Sequence, residues 1–61
     1  MRTTKKRLIE ICEKNNLGLV VNSPPDIEEI MDGFTKVGEA VLLKGDVYEL
    51  SIDPEYEDLF M

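Results

Sequence analysis

Three kinds of side chain in this sequence could do chemistry: a single thiol, many carboxylates and a short run of cations. The thiol belongs to Cys12, which would act as a nucleophile only if a nearby cation lowered its pKa at an exposed position. Carboxylates are supplied by 13 Asp and Glu residues among 61, so adjacent pairs arise by chance. The chain has no histidine, the side chain most often used in general acid–base catalysis. These features favour a protein that is not an enzyme.

The same inventory argues against a bound metal or cofactor. One cysteine without histidine cannot supply the ligands of a zinc site. The four glycines are scattered along the chain, and none forms a phosphate-binding glycine-rich loop. A chain of 61 residues also rarely encloses a pocket of the size that small-molecule substrates need. We therefore expect no cofactor, no metal site and no small-molecule substrate.

The cations are concentrated at the N-terminus. Residues 1–14 have a net charge of +3, whereas residues 15–61 have a net charge of −9, which together give −6. The candidate anion-binding residues are Arg2, Lys5, Lys6 and Arg7. They could contact nucleic-acid phosphates, but the acidic remainder of the chain would repel a duplex. A small nucleic-acid-binding regulator that uses this basic segment is therefore the alternative function.

Length and composition predict one domain, residues 1–61, of marginal stability. A chain of this size buries only about 60% of its unfolded surface. Hydrophobic residues make up 43% of the sequence, which argues against disorder. Neither a membrane span nor a signal peptide is visible, and the lone thiol fits a reducing compartment, so we expect a cytoplasmic protein. Residues 1–2 and 54–61 are expected to be flexible or to dock a partner.

The N-terminal segment has the pattern of an amphipathic helix. Leu8, Ile11 and Cys12 recur at i, i+3 and i+4, which places them on one face. Thr3 or Thr4 can cap the start of the helix. Two asparagines and a glycine follow it, and these residues tolerate the left-handed conformation that ends helices. Cys12 is therefore expected to be a small buried hydrophobe rather than a reactive thiol.

A strand and a second helix are predicted next. Residues 19–21 form a short apolar run typical of a strand. Ser23, followed by two prolines and an acid, is typical of a helix start. The helix would bury residues at i, i+3, i+4 and i+7: Ile27, Ile30, Met31 and Phe34.

Residues 39–43 and 47–52 flank a tight turn at Gly45 and predict a β-hairpin. The complete prediction is an α+β fold with the order α-β-α-β-β. Its three-stranded sheet contains the C-terminal hairpin, and two helices lie on one face. Residues 19–21 and 39–43 would be parallel strands joined by a right-handed crossover. A helix-turn-helix with a hairpin wing is the rival topology.

Helices on one face leave the other face of such a sheet open to a partner. Pairing across the predicted turn places Val41 and Leu43 inward, with Tyr48, Leu50 and Ile52 on the same face. The candidate partner-binding residues are Ala40, Leu42, Val47, Leu59 and Phe60. We expect a homodimer or a protein partner here. The predicted function is a small acidic protein-binding module, of the accessory or inhibitor type that phages and mobile elements encode.

The C-terminal segment Asp58-Leu59-Phe60 resembles the end of a pentapeptide by which bacterial and phage proteins dock into the groove of the sliding clamp. The usual leading Gln of that peptide is Tyr56 here, and its next Leu is Glu57. The resemblance covers three residues and implies a short docking peptide. The alternative is that Leu59 and Phe60 fold back onto the edge of the sheet.

Overall fold

The computed structural model describes residues 1–21 and 26–61, and its centre is one antiparallel sheet. The elements are β1 (Arg2–Thr4), α1 (Lys5–Lys14), β2 (Gly18–Val21), β3 (Ile27–Asp32), β4 (Thr35–Lys44), β5 (Val47–Ile52) and a C-terminal 3₁₀ helix (Pro54–Phe60). The order across the five-stranded sheet is β1-β5-β4-β3-β2. Each neighbouring pair is antiparallel. Helix α1 therefore carries the chain from one edge of the sheet to the other.

Helix α1 begins and ends as its sequence predicts. The Oγ1 atom of Thr4 accepts a hydrogen bond of 3.2 Å from the backbone N–H of Arg7, which caps the first turn. Asn15 is the C-cap, and Asn16 adopts a positive φ of 58°. The predicted apolar stripe is confirmed by the burial of three residues: Leu8, Ile11 and Cys12.

The predicted second helix is wrong, because Ile27–Asp32 forms strand β3. Its predicted start, Ser23-Pro24-Pro25, lies outside the described residues. The spacing is misleading because Glu28 is buried, which removes the alternation of apolar and polar residues that marks a strand. The glycine expected to end the helix, Gly33, instead adopts a φ of 65° in a two-residue turn between Asp32 and Thr35.

The α+β order α-β-α-β-β and its three-stranded sheet are therefore wrong. Residues 19–21 do lie in a strand, β2, but β2 pairs antiparallel with β3 at the edge of the sheet. This pairing excludes the parallel crossover. The helix-turn-helix alternative fails because β3 replaces its second helix. Strand β1 was not predicted, since three residues are too few for a periodic pattern and its pairing with β5 is a tertiary contact.

The β4–β5 hairpin forms, but the predicted inward face of β4 is wrong. The register shifts beside Leu43, which acts as an extra residue, a β-bulge, near the turn. Because side chains alternate along a strand, a shift of one residue turns β4 over. Ala40 is fully buried and Leu42 packs against the core, whereas Val41 and Leu43 are outside the core cluster.

The core lies between one face of the sheet, α1 and the 3₁₀ helix. We call this face the covered face, and the opposite one the open face. Phe60 folds back into the core, whereas Leu59, which the sequence alternative placed with it on the edge of the sheet, is 37% exposed. In the described ranges no helix has the length and apolarity to cross a bilayer. The buried hydrophobic residues of the core are Leu8, Ile11, Cys12, Ile30, Val37, Ala40, Tyr48, Leu50 and Phe60.

Candidate functional site

A group of polar side chains lies on the covered face beside the start of α1. Glu28 of β3 points inward and is only 4% exposed. The ammonium group of Lys5 pairs with its carboxylate and lies 5.3 Å from the centre of the Tyr48 ring, within cation–π range. In the described part of the chain, no buried side-chain polar atom lacks a hydrogen-bond partner. The cluster is thus a satisfied ion pair that closes the edge of the core.

Cys12 lies in the electrostatic field of this cluster but is not activated by it. Burial, followed by the negative charge of Glu28, raises the pKa of the Cys12 thiol, and the charge of Lys5 opposes them. The side chain is also only 3% exposed. Because the thiolate is the nucleophilic form, both effects make Cys12 unreactive. The structure places it in the core, where the sequence analysis expects it.

The four candidate anion-binding residues do not form one cationic surface. Arg2 donates to Glu49 over 3.1 Å, and Lys5 is paired with Glu28. Lys6 and Arg7 are exposed on α1 and make no ion pair within the described residues. Two cations would release few counterions from a nucleic acid.

The open face carries an apolar patch. Ile27 and Val41 are directly paired across β3 and β4. Leu43 lies further along β4, and Val47 begins β5 beside the bulge. Leu43 is 48% exposed, the other three are half-buried, and none of the four is among the side chains that pack against the core cluster. We call Ile27, Val41, Leu43 and Val47 the apolar patch.

The charged groups of the open face are paired with one another. Glu49 accepts hydrogen bonds from the N-terminal ammonium group at 2.7 Å and from Arg2. Glu29 and Glu39 lie directly opposite each other on β3 and β4. Lys36 relieves their repulsion, because it pairs with Glu39 and its Nζ lies 3.5 Å from Glu29. The hydrogen bond to Glu39 raises the pKa of Lys36. The open face is therefore close to neutral in an acidic protein.

The turn between β3 and β4 exposes an aromatic ring. Phe34 has a relative exposure of 105%, so its side chain contacts nothing that shields it from water. The turn is tied to the 3₁₀ helix, because the Tyr56 hydroxyl donates to Oδ2 of Asp32 at 2.6 Å. That hydrogen bond raises the pKa of Tyr56, and the nearby charges of Glu55 and Asp53 add to the effect.

The carboxylates beside this turn differ from those of the open face. Asp32, Asp53 and Glu55 make no salt bridge within residues 1–21 and 26–61. The turn therefore joins an exposed aromatic ring to carboxylates that make no salt bridge in the described chain. We call Phe34 and these three carboxylates the acidic turn end.

The five candidate partner-binding residues are divided between core and surface. Ala40 and Phe60 are buried, at 0% and 7% exposure, and Leu42 packs against the core. Val47 belongs to the apolar patch. Leu59 is 37% exposed and lines a groove between α1 and the 3₁₀ helix. With Phe60 in the core, the segment that resembles a clamp-docking peptide is folded rather than extended.

Sequence reasoning missed Phe34 and most of the apolar patch. Helical spacing assigned Phe34 to the core, although a glycine immediately before it is also the pattern of a two-residue hairpin turn. The same pattern, Gly45 followed by an acid, was interpreted correctly as a turn. For the patch no signal was available, because the bulge at Leu43 depends on how the strands pair.

Comparison of the chain with protein-family models, with curated proteins and with solved structures finds no match. In the described residues, no group of three or more His, Cys, Asp or Glu side chains is placed to hold a metal ion. The surface features that bear on function are the apolar patch and the acidic turn end.

Proposed function

We propose that this protein acts by binding another protein, and that the acidic turn end is its docking element. A fitting partner has an apolar pocket for the ring of Phe34, surrounded by basic side chains. The observation that supports the proposal is the full exposure of Phe34 beside carboxylates that lack cationic partners in the described chain. In this proposal the protein is a small acidic accessory or inhibitory module of the cytoplasm, without catalytic activity.

Burial of Phe34 would supply much of the binding free energy. Aromatic side chains bury about 150–250 Å² each and are prominent in interfaces. The residues that dominate an interface typically reduce affinity by about 2 kcal/mol or more when truncated. That corresponds to roughly a 30-fold change in Kd. A ring that is already in water loses no internal contacts when it enters the pocket of a partner.

The turn that carries Phe34 is already formed in the protein without a partner. Gly33 adopts the positive φ that the turn requires, and Asp32 pairs with Thr35 at its base. The hydrogen bond from Tyr56 fixes Asp32 to the 3₁₀ helix. A preformed anchor has less conformational entropy to lose on binding, which favours affinity.

The carboxylates determine which kind of partner is favoured. Asp32, Asp53 and Glu55 attract a basic surface, increase its rate of encounter and disfavour acidic proteins. They also repel nucleic-acid phosphates. The N-terminal basic segment offsets this only in part, since Arg2 and Lys5 are engaged within the molecule.

The test is to place the photo-crosslinking analogue benzoylphenylalanine at position 34 in the host cell, and at position 9 as the control. Ile9 is exposed on α1, at 37%. We expect position 34 to capture a basic protein that position 9 does not. With that protein purified, Phe34→Ser should weaken binding by roughly 30-fold or more, while Ile9→Ser should leave Kd unchanged.

Three results would contradict the proposal. One is the same set of crosslinked proteins at both positions. Another is an acidic partner or a nucleic acid at position 34. The third is a purified partner whose Kd is insensitive to Phe34→Ser.

A further inference from the structure

We infer that the open face of the sheet is a homodimer interface, in which the apolar patches of two copies pack against each other. This inference is separate from the docking of a partner, because the acidic turn end lies at the β3–β4 turn and the patch lies on the face of the sheet. A dimer of this kind would leave the Phe34 ring of each copy available.

Helices cover one face of the sheet and leave the other uncovered in the described residues. Helix α1 and the 3₁₀ helix both contribute side chains to the core on the covered face. In the described residues, no helix packs over the open face, and Leu43 there is 48% exposed. Sheets with an apolar second face commonly bury it against another sheet. The patch is continuous across strands, because Ile27 and Val41 are direct neighbours.

The paired charges of the open face favour a second copy over a basic partner as the occupant. Each carboxylate of Glu29, Glu39 and Glu49 on the open face has a cation beside it from the same chain. A basic partner would therefore find few carboxylates to pair with. A second copy presents the same neutral, apolar surface, so the two patches can meet without the repulsion that the net charge of −6 creates elsewhere.

The area of the open face limits how strong the dimer can be. The molecule measures 26 × 23 × 19 Å along its principal axes. With strands about 4.8 Å apart and about 3.3 Å per residue, the open face covers roughly 400 Å². Complete contact between two open faces would bury roughly 800 Å² in total, which is below the roughly 1,200 Å² of stable specific interfaces and fits only a weak, transient dimer. We therefore expect a weak dimer with Kd on the order of 10–100 μM.

The effect of salt distinguishes this interface from the docking of a basic partner. Two copies that each carry −6 repel each other over long distances, and salt screens that repulsion. Dimerisation should therefore strengthen, by roughly 3-fold to 10-fold, between about 20 mM and 500 mM NaCl. A contact held by opposite charges would weaken over the same range.

The experiment is sedimentation equilibrium of the purified full chain from 10 to 300 μM at both salt concentrations. Leu43→Lys puts a charge into the patch, and Ile9→Lys makes the same change of charge on the outer side of α1. Leu43 and Ile9 have similar exposures, 48% and 37%. We expect Leu43→Lys to raise the dimer Kd at least 10-fold and Ile9→Lys to leave it within 2-fold.

Circular dichroism establishes that each variant is folded, and Leu43→Ser replaces Leu43→Lys if the lysine variant is not. Phe34→Ser should dimerise like the wild type, which separates this inference from the proposed docking function. A wild-type monomer at 300 μM in 500 mM NaCl would overturn the inference. So would equal weakening by the substitutions at positions 43 and 9, or a dimer that salt weakens.

Discussion

The consecutive residues Glu28 and Glu29 show that the same side chain differs in burial and in the role of its ion pair between the two faces of this sheet. Glu28 lies on the covered face, with its side chain 5% exposed, and Lys5 pairs with it. Glu29 lies on the open face, with its side chain 26% exposed, and shares Lys36 with Glu39. On the covered face the pair is a structural necessity, because a buried carboxylate without a partner is strongly destabilising. On the open face such pairs contribute little to folding and instead set the charge of the surface.

The largest expected effect comes from testing the same contrast with neighbouring apolar residues. Ile30 is fully buried on the covered face, whereas Met31 is half-buried on the open face. Ile30→Ala should lower the free energy of unfolding by about 2–5 kcal/mol. A chain of this size has a total stability on the order of 3–9 kcal/mol, so this loss would be a large fraction of it. Met31→Ala should lower the stability by less than about 1 kcal/mol.

Urea denaturation followed by circular dichroism measures both variants. Similar losses at positions 30 and 31 would mean that the open face is packed as tightly as the covered one. That result would contradict the assignment of the two faces.

The next contrast is between the Lys5–Glu28 pair of the covered face and the Lys36–Glu39 pair of the open face. Lys5→Met leaves Glu28 buried without its cation, and we expect a loss of about 2–3 kcal/mol. This is less than the cost for a fully enclosed pair, because the side chain of Lys5 is 35% exposed and water can reach the site. Lys36→Met, on the open face, should shift the thermal midpoint by roughly 2–4 °C at most.

A double variant sharpens this comparison. Adding Glu28→Met to Lys5→Met removes the unpaired charge and should recover most of the lost stability. Thermal and urea unfolding of the single and double variants measure the coupling. Failure of Glu28→Met to restore stability would show that packing by the lysine stem, rather than its charge, is what the fold needs.

The elements that could be predicted from the sequence are those whose signals lie within the segment itself. The prediction failed where tertiary contacts determine the secondary structure. Helix α1 was predictable because its cap and its apolar stripe lie within the segment itself. Strand β3 was not, because Glu28 occupies an inward position that only the pairing with Lys5, 23 residues away, makes tolerable. An inward glutamate erases the alternation of a strand and leaves the spacing of a helix.

From the sequence, a class of binding surface could be proposed, but the residues that form it could not be located. Composition predicted a small acidic protein-binding module, which stays a prediction, and it could not place a binding surface. The bulge at Leu43 exchanged the inward and outward residues of β4, so Ala40 and Leu42 moved from the proposed interface to the core. A shift of one residue is set by the geometry of pairing, for which the sequence carries no clear signal.

A smaller effect is expected from alkaline pH, to which Cys12 and Tyr48 on the covered face contribute together with Tyr56 of the 3₁₀ helix. Burial raises the pKa of Cys12 and of Tyr48 above their ordinary values of 9.0 and 10.0. Above those values the folded chain keeps protons that the unfolded chain has lost, so stability falls as pH rises. The thermal midpoint should therefore decline between pH 8 and about 10.5.

Cys12→Ala should remove the part of this decline that begins near the ordinary thiol pKa of 9.0. Lys36→Met is the matched control on the open face. The raised pKa of Lys36 adds stability that is fully present below the ordinary value of 10.5, so this variant should decline like the wild type up to pH 10. An unchanged slope in Cys12→Ala would mean that the thiol is more accessible to water than its burial indicates.

The smallest expected effect on stability is at the most exposed residue. Phe34 contacts no part of the core, and the turn that carries it depends on Gly33, whose φ is 65°. Phe34→Ser should therefore leave the thermal midpoint within about 1–2 °C of the wild type. Gly33→Ala, in contrast, forces a side chain into the left-handed region and should cost about 1–2 kcal/mol. Differential scanning calorimetry of the two variants separates the contribution of the ring to stability from that of the turn. A loss of many degrees in Phe34→Ser would show that the ring supports the fold, and it would then be a poor candidate for an anchor that waits for a partner.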